Sequence, residues 1–244
     1  APSLENFKID DTSNVFEVII ENTDACPRYS GISISDVKIA ESPQWLKNRL
    51  RAIGLNPISN VVDITNFVQH EIGQPLHAFD ADKITGRKVI IKNLPDKSKF
   101  VTLDEAERTL SSRDLMICNS QEGMCIAGVF GGIKSGVTDS TRNIFLESAH
   151  FNPVSIRKTS KRHGLQTDAS FRFERGTDPN ITIWALKRAA MLMKELAGGR
   201  ISSEIVDIYP ELIENSKVGI SFRNVDRLIG KHIEKEKIKK ILGL

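Results

Sequence analysis

Hydrophobic and polar positions change their period several times along this chain. "VFEVIIEN" (15–22) and "YSGISISDVKI" (29–39) are β-branched runs, with Ile32, Ile34 and Val37 in partial alternation, and predict two strands. From Ser42 and Pro43 the period lengthens. Trp45, Leu46, Leu50 and Ile53 predict a helix capped by Ser42, opened by Pro43 and stopped at Gly54. "NVVDITNFVQHEIG" (60–73) predicts a second helix, with Asn60 as cap, Val61, Ile64, Val68 and Ile72 on one face and Gly73 at its end. Thr65 and Asn66, both weak helix formers, sit beside that apolar stripe.

Between 88 and 151 the segments "KVIIKN", "KFVTLD", "RTLS", "DLMICN", "MCIAGVFG" and "NIFLESAHF" are short, β-branched or aromatic, and separated by turn residues. Such close spacing predicts layered antiparallel β structure rather than a βαβ repeat. "NPVSIRKTSKRHG" (152–164) reads as a short basic helix capped by Asn152, and 164–179 as an extended or looping stretch. "ITIWALKRAAMLMKELAGG" (181–199) is the clearest helix, with Ile183, Leu186, Ala190, Met193 and Leu196 on one face. A strand at 201–210 leads to a polar linker, and 220–244 reads as a small separate helical unit. The fold class expected is α+β: sandwich-type antiparallel β layers flanked by helices. The domains expected are a head (1–25), a central domain (26–211) and a following unit (212–244).

Composition narrows the class. With 40% hydrophobic and 27% charged residues, the 244-residue chain fits a soluble globular protein. No apolar run approaches the roughly 18 residues of a membrane span. The start Ala1-Pro2-Ser3 lacks methionine, as in a processed or excised chain, and carries no signal-peptide pattern. A net charge of +3 is too small to require a nucleic-acid partner. Three cysteines (Cys26, Cys118, Cys125) without a C-x-x-C pair give neither a zinc set nor a disulfide framework, and a reducing cytoplasm is the simplest compartment.

Several residues invite chemistry. "IGQPLHAFD" places His77 among apolar neighbours, where a core histidine is the more ordinary reading. His77, Asp80 and Asp82 are metal ligands by type, but no second histidine stands at ligand spacing, so no metal is expected. "GVFGGIKSG" (128–136) matches neither a phosphate-binding loop nor a dinucleotide fingerprint. Ser135 is not in a G-x-S-x-G elbow, which disfavours a serine hydrolase. In "NIFLESAHF" alternation puts Phe145, Glu147, Ala149 and Phe151 on one face. Glu147 is then an ion-pair partner, an exposed edge residue, or a buried acceptor for a ligand hydroxyl. The helix at 152–164 carries Arg157, Lys158, Lys161, Arg162 and His163 and no acid: a solvated face or a grip on phosphates. "FRFERG" (171–176) reads as a strand with Phe171 and Phe173 inward and an Arg–Glu pair outward.

Taken together, "NVVDITNFV", "GQPLHAFD", "AGVFGG" and "FLESAHFNPVSIRKTSKRHGLQTDASFRFERGTDP" resemble the central editing module of the bacterial phenylalanyl-tRNA synthetase β subunit, over roughly 26–210. The resemblance implies hydrolysis of tyrosine wrongly attached to tRNA(Phe). It makes the head the tail of a preceding domain and the last segment the start of a winged-helix-like one. It implies Glu147 as the phenol acceptor, with Ala127, Gly128, Thr167 and Ala169 as further substrate-binding positions, and His77, Thr65 and Asn66 beside the reacting ester, with Asp168 peripheral. The basic helix becomes a tRNA contact through Arg157, Lys158, Lys161 and Arg162. No cofactor is implied for this segment; the whole enzyme, an α2β2 tetramer with a synthetase α subunit, would use ATP and Mg to aminoacylate tRNA in the cytoplasm. The competing implication is a non-catalytic tRNA-docking or structural module.

Overall fold

The β-branched runs near the head form β1 (Glu17–Ile20) and β2 (Arg28–Ser35) in the structure, a computed structural model that describes residues 2–243. α1 (Gln44–Ala52) buries Leu46 and Leu50 and leaves Trp45 and Ile53 exposed. Its expected cap is otherwise engaged: Ser42 donates its hydroxyl to Asp63 at 2.6 Å, and Pro43 holds the cap position without a side-chain bond. In α2 (Asn60–Ile72) the cap position falls on Ser59 rather than Asn60, again without a side-chain bond. The Asn60 amide instead donates to the carbonyls of Lys38 and Leu196 at 2.9 and 3.2 Å. At both sites a tertiary partner for a buried polar group outweighs a local cap.

β3 (Leu76–Asp80) follows the Gly73 stop. Then come β4 (Lys88–Asn93), β5 (Lys99–Val101), β6 (Glu107–Thr109), β7 (Leu115–Cys118), β8 (Gly123–Ile126), β9 (Phe130–Gly131) and β10 (Ile144–His150). α3 (Pro153–His163) is capped by Asn152, whose side chain accepts from Val154 N and Ser155 N at 3.0 and 3.2 Å. The stretch expected to loop contains α4 (Asp168–Phe173), and α5 (Thr182–Ala197), β11 (Arg200–Ile201) and β12 (Val206–Ile208) complete this part.

The strands form two five-stranded sheets and one hairpin. The first sheet runs β1-β4-β7-β8-β9; the second runs β11-β2-β10-β3, with β12 also on β2; β5 and β6 pair alone. Pairing is antiparallel as expected, apart from the parallel β1–β4 edge. One core, including Val89, Ile91, Met116 and Ile117 of the first sheet, takes Tyr29, Phe79, Phe145 and Ala149 from one face of the second. A second core joins that sheet's other face, through Ile32, Ile34, Ile144 and Leu146, to Leu46, Ile64, Leu186 and Met193 of the helices. The order of layers is therefore sheet, sheet, helices.

"FRFERG" is not a strand. Thr167 accepts from Ser170 N at 3.0 Å while Ser170 Oγ accepts from Thr167 N at 2.9 Å, a reciprocal cap that starts α4. Helical geometry buries Phe173 and leaves Phe171 exposed beneath the Arg175 guanidinium. The first compact unit runs Ala1–Glu211 and so includes the head, where β1 extends the sheet and Phe16 and Val18 enter its core. The second unit, Leu212–Leu244, contains α6 (Phe222–Ile229), capped by Ser221, and α7 (Lys235–Leu242), whose Ile238 is buried. Among the described residues no helix is long and apolar enough to cross a membrane.

The inter-sheet core leaves no room at Gly31. A Cβ there would lie 2.3 Å from Phe145 Cζ. Gly31→Ala is expected to lower stability by about 1–3 kcal/mol in denaturant unfolding, because a packed ring must move. A loss below about 0.5 kcal/mol, ordinary for a surface change, would show that Phe145 is not wedged.

Candidate functional site

Register places the site. In β10 Glu147 lies opposite Gly31 of β2 and His77 of β3, so its carboxyl and the imidazole project from the same face of the sheet. Alternation turns Asp80 to the opposite face from His77, where Thr141 donates to it at 2.7 Å. That separates two of the three residues that resembled metal ligands. Tyr29 stands opposite Ala149, a small residue, and its hydroxyl donates to Glu147 Oε2 at 3.1 Å.

Glu147 and His77 open on a cavity of about 520 Å³, within the range of small-molecule sites. α2 contributes Thr65, Asn66 and Gln69; the turn after β8 contributes Gly128 and Val129, and β9 contributes Phe130; the start of α4 contributes Thr167, Asp168 and Ala169. Seven residues singled out from sequence therefore share one cavity: Glu147, His77, Thr65, Asn66, Gly128, Thr167 and Ala169. Ala127 does not; it is buried in the inter-sheet core. Asp168 lies at the margin, exposed and paired with Arg172.

The small residues work differently from simple space for a ring. Gly128 has φ +66°, and a Cβ there would strike Ile156, Phe151 and Phe173 at 2.8–3.0 Å. Its freedom keeps the turn against the core, so a side chain would disrupt packing rather than plug the cavity. Gly131 is the position where a side chain would meet the site, 3.1 Å from His77 Cε1. Thr167 donates to Val129 O at 3.0 Å and so fastens α4 to the turn. Thr65 donates to Val62 O at 2.7 Å, within its own helix.

Unpaired polar atoms remain. His77 Nε2 and Gln69 Nε2 are cut off from solvent without a partner. Gln69 was not evident from sequence, although it follows Thr65 by four residues and Asn66 by three and shares their helical face. Burial holds His77 near pKa 4, hence neutral at pH 7. Burial raises Glu147 to about 8, with the Tyr29 hydroxyl acting weakly the other way. Among the described residues no Lys or Arg pairs with Glu147, so of the three readings open for it the ion pair and the exposed edge are excluded: the residue is 4% exposed.

The basic helix divides into two parts. Arg157, Lys158 and Lys161 are exposed along a shallow groove shared with Glu174. Arg162 pairs with the fully buried Asp114, which also meets His163 Nε2 at 2.8 Å and Thr159 at 2.9 Å. Burial opposes the Asp114 charge, but the Ser111 N–H and the His163 and Thr159 bonds hold its pKa below the ordinary value. Arg162 is thus a structural partner and not one of the free cations of this face.

The raised Glu147 pKa links stability to pH. Between its ordinary 4.5 and about 8 the folded chain keeps a proton that the unfolded chain has released. Stability from this group is therefore full below pH 4.5 and declines as pH rises through 8. Glu147→Gln should gain on the native chain steadily from pH 5 to 8 in thermal unfolding. A constant offset between the two curves would refute the buried neutral acid. His77 titrates in both and cancels.

Residues 25–198 match the model of the B3/4 domain family. The phenylalanine–tRNA ligase beta subunit of Bacteroides thetaiotaomicron is 56% identical over 99% of the chain, and that of Porphyromonas gingivalis 51% over 98%. The chain spans 29% of the length of each. A solved N-terminal fragment of the phenylalanyl-tRNA synthetase beta subunit from Pyrococcus horikoshii superposes with TM-score 0.54 at 15% identity, covering 97% of this chain and 65% of that one, a likeness of fold. The chain belongs to the B3/4 domain family.

Proposed function

We propose that this chain is the editing module of a phenylalanyl-tRNA synthetase β subunit, and that it hydrolyses tyrosine esterified to tRNA(Phe). The observation that carries this reading is a buried carboxyl, Glu147, without a cationic partner among the described residues, opening on a largely apolar cavity of about 520 Å³. A tyrosine phenol satisfies it; phenylalanine leaves it unpaired, and that asymmetry separates the two amino acids more sharply than cavity size does. The names of the bacterial relatives, phenylalanine–tRNA ligase beta subunits, support the synthetase part of this reading.

The reaction adds water to the ester carbonyl and expels the ribose oxygen, which takes up a proton. No nucleophile–base pair is formed by the residues of the cavity, so the chain's part is to place water and ester. His77 stands neutral on the cavity wall beside Glu147 and helps shape the site; a pKa near 4 makes it a poor base. Asn66, whose side chain has no partner among the described residues, and the Thr65 hydroxyl flank the ester end, while Thr167, Ala169 and Gly128 shape the walls. Arg157, Lys158 and Lys161 are the cations for the tRNA backbone. On this reading ATP, Mg²⁺ and the synthetase α subunit serve aminoacylation elsewhere in a cytoplasmic enzyme. Among the described residues no group of three His, Cys, Asp or Glu can hold a metal, and no step here is routed through one.

Deacylation of Tyr-tRNA(Phe) and Phe-tRNA(Phe) by the full-length protein tests this. Glu147→Ala should lose most of the preference for the tyrosyl ester, roughly 10–100-fold. His77→Ala should slow turnover of the tyrosyl ester. A Glu147→Ala variant that still strongly prefers Tyr-tRNA rules out the acceptor role, and a native protein that binds but never hydrolyses Tyr-tRNA leaves a docking module instead. Lys158→Glu with Lys161→Glu should weaken tRNA binding and reduce the salt slope of log K by about 2; an unchanged slope removes α3 from the tRNA path.

A further inference from the structure

The editing reading uses Glu147 but leaves open how one carboxyl, with two equivalent oxygens, presents a defined partner to a ligand. The sheet supplies an answer. Tyr29 is fully buried and reaches diagonally across the β2–β10 pair to Oε2 of Glu147 at 3.1 Å. Ala149, the small residue opposite Tyr29, leaves the tyrosine ring free to make that reach. Tyr29 is absent from the cavity wall, whereas Glu147 is part of it. The bond is therefore made from behind, on the side away from any ligand.

We infer that Tyr29 is a positioning residue for the specificity of this site: by engaging Oε2 it assigns Oε1 of Glu147 to the ligand. The inference rests on the proposed role of Glu147 in reading the tyrosine hydroxyl. Its chemistry follows from the surroundings. The groups facing this carboxyl are Tyr29 on β2, Cys26 just before that strand, His77 on β3 and Cys125 on β8. Burial raises Tyr29 and both thiols well above their ordinary ranges and lowers His77, so all four are neutral at pH 7. With Oε2 accepting from Tyr29, the proton of the neutral acid sits on Oε1, which then donates to a phenol oxygen. Once Glu147 ionises, Oε1 accepts the phenol O–H instead, in a stronger charge-assisted bond. A hydroxyl satisfies both states and a bare ring satisfies neither. The ratio of tyrosyl to phenylalanyl binding should therefore rise with pH through about 8.

Tyr29→Phe keeps the ring and removes the donor. In the full-length protein, the affinities of 3′-tyrosylamido-adenosine and 3′-phenylalanylamido-adenosine, which resist hydrolysis, are measured across pH 6–10. The expected result is roughly a tenfold loss for the tyrosyl compound, little change for the phenylalanyl one, and a midpoint of their ratio moved to higher pH, because the donor that favours the ionised acid is gone. Equal weakening of both compounds, or an unmoved midpoint, overturns the positioning role. Glu147→Ala run alongside separates the two layers. If Glu147→Ala retains the tyrosyl preference, the hydroxyl-reading role fails and the Tyr29 inference falls with it. If it loses that preference while Tyr29→Phe keeps it, only the Tyr29 inference fails. Should Tyr29→Phe not fold, the ¹³Cζ resonance of Tyr29 in the native protein must titrate with the same midpoint as the Glu147 carboxyl; an unmoved resonance overturns the inference.

Discussion

Burial of β10 on both faces is the constraint on which the rest depends. All seven of its residues are buried, and it lies between β2 and β3 in the middle of the second sheet. A strand in that position has its register fixed twice, because a slip of one residue would exchange the contents of two different cores. Ile144 and Leu146 belong with the helices; Phe145 and Ala149 belong with the other sheet. Glu147 is carried into the inter-sheet core by that rule and not by any attraction of its own. Its neighbours are set by the same register, so His77, Gly31 and the diagonal Tyr29 come with it.

The cost of this placement is electrostatic. A carboxyl and an imidazole side by side would ordinarily form an ion pair, but in a cavity walled by Val129, Phe130 and Phe173 both lose more by desolvation than they gain by attraction. The acid is pushed up and the base down, so both stand neutral near pH 7. Two polar groups with incomplete hydrogen bonding in a largely apolar cavity form a site whose complement is a polar ligand.

Much of this was legible because strand alternation and family-like segments point the same way. "NIFLESAHF" assigned both faces of β10 correctly, and the helices at α2, α3 and α5 followed from spacing and glycine stops. Readings failed where a side chain had a distant partner or a local one hidden in the composition. Ser42 and Asn60 look like caps but are bound across the fold. Arg162 looks like a free cation because Asp114 lies 48 residues away. The Thr167–Ser170 cap was present in "TDAS", yet the Phe–Arg alternation after it suggested a strand. Ala127 was paired with Gly128 by the family resemblance, although the turn sends one into the core and leaves the other on the wall. Gln69 and Tyr29 carry no motif; only the packed helix and the paired strands bring them to the site.

The bonds that engage Arg162 and His163 with Asp114 also fix what remains of α3. Held at its last turn by Asp114, the helix is a rigid mount. The backbone bearing Arg157, Lys158 and Lys161 is ordered when the chain folds, so an arriving polyanion meets charges whose spacing is already set and has only side-chain freedom left to restrict. The anchor sits on the loop between β6 and β7, far along the chain from the helix it steadies. A change in that loop would therefore register as loosened charge spacing on a surface it never touches.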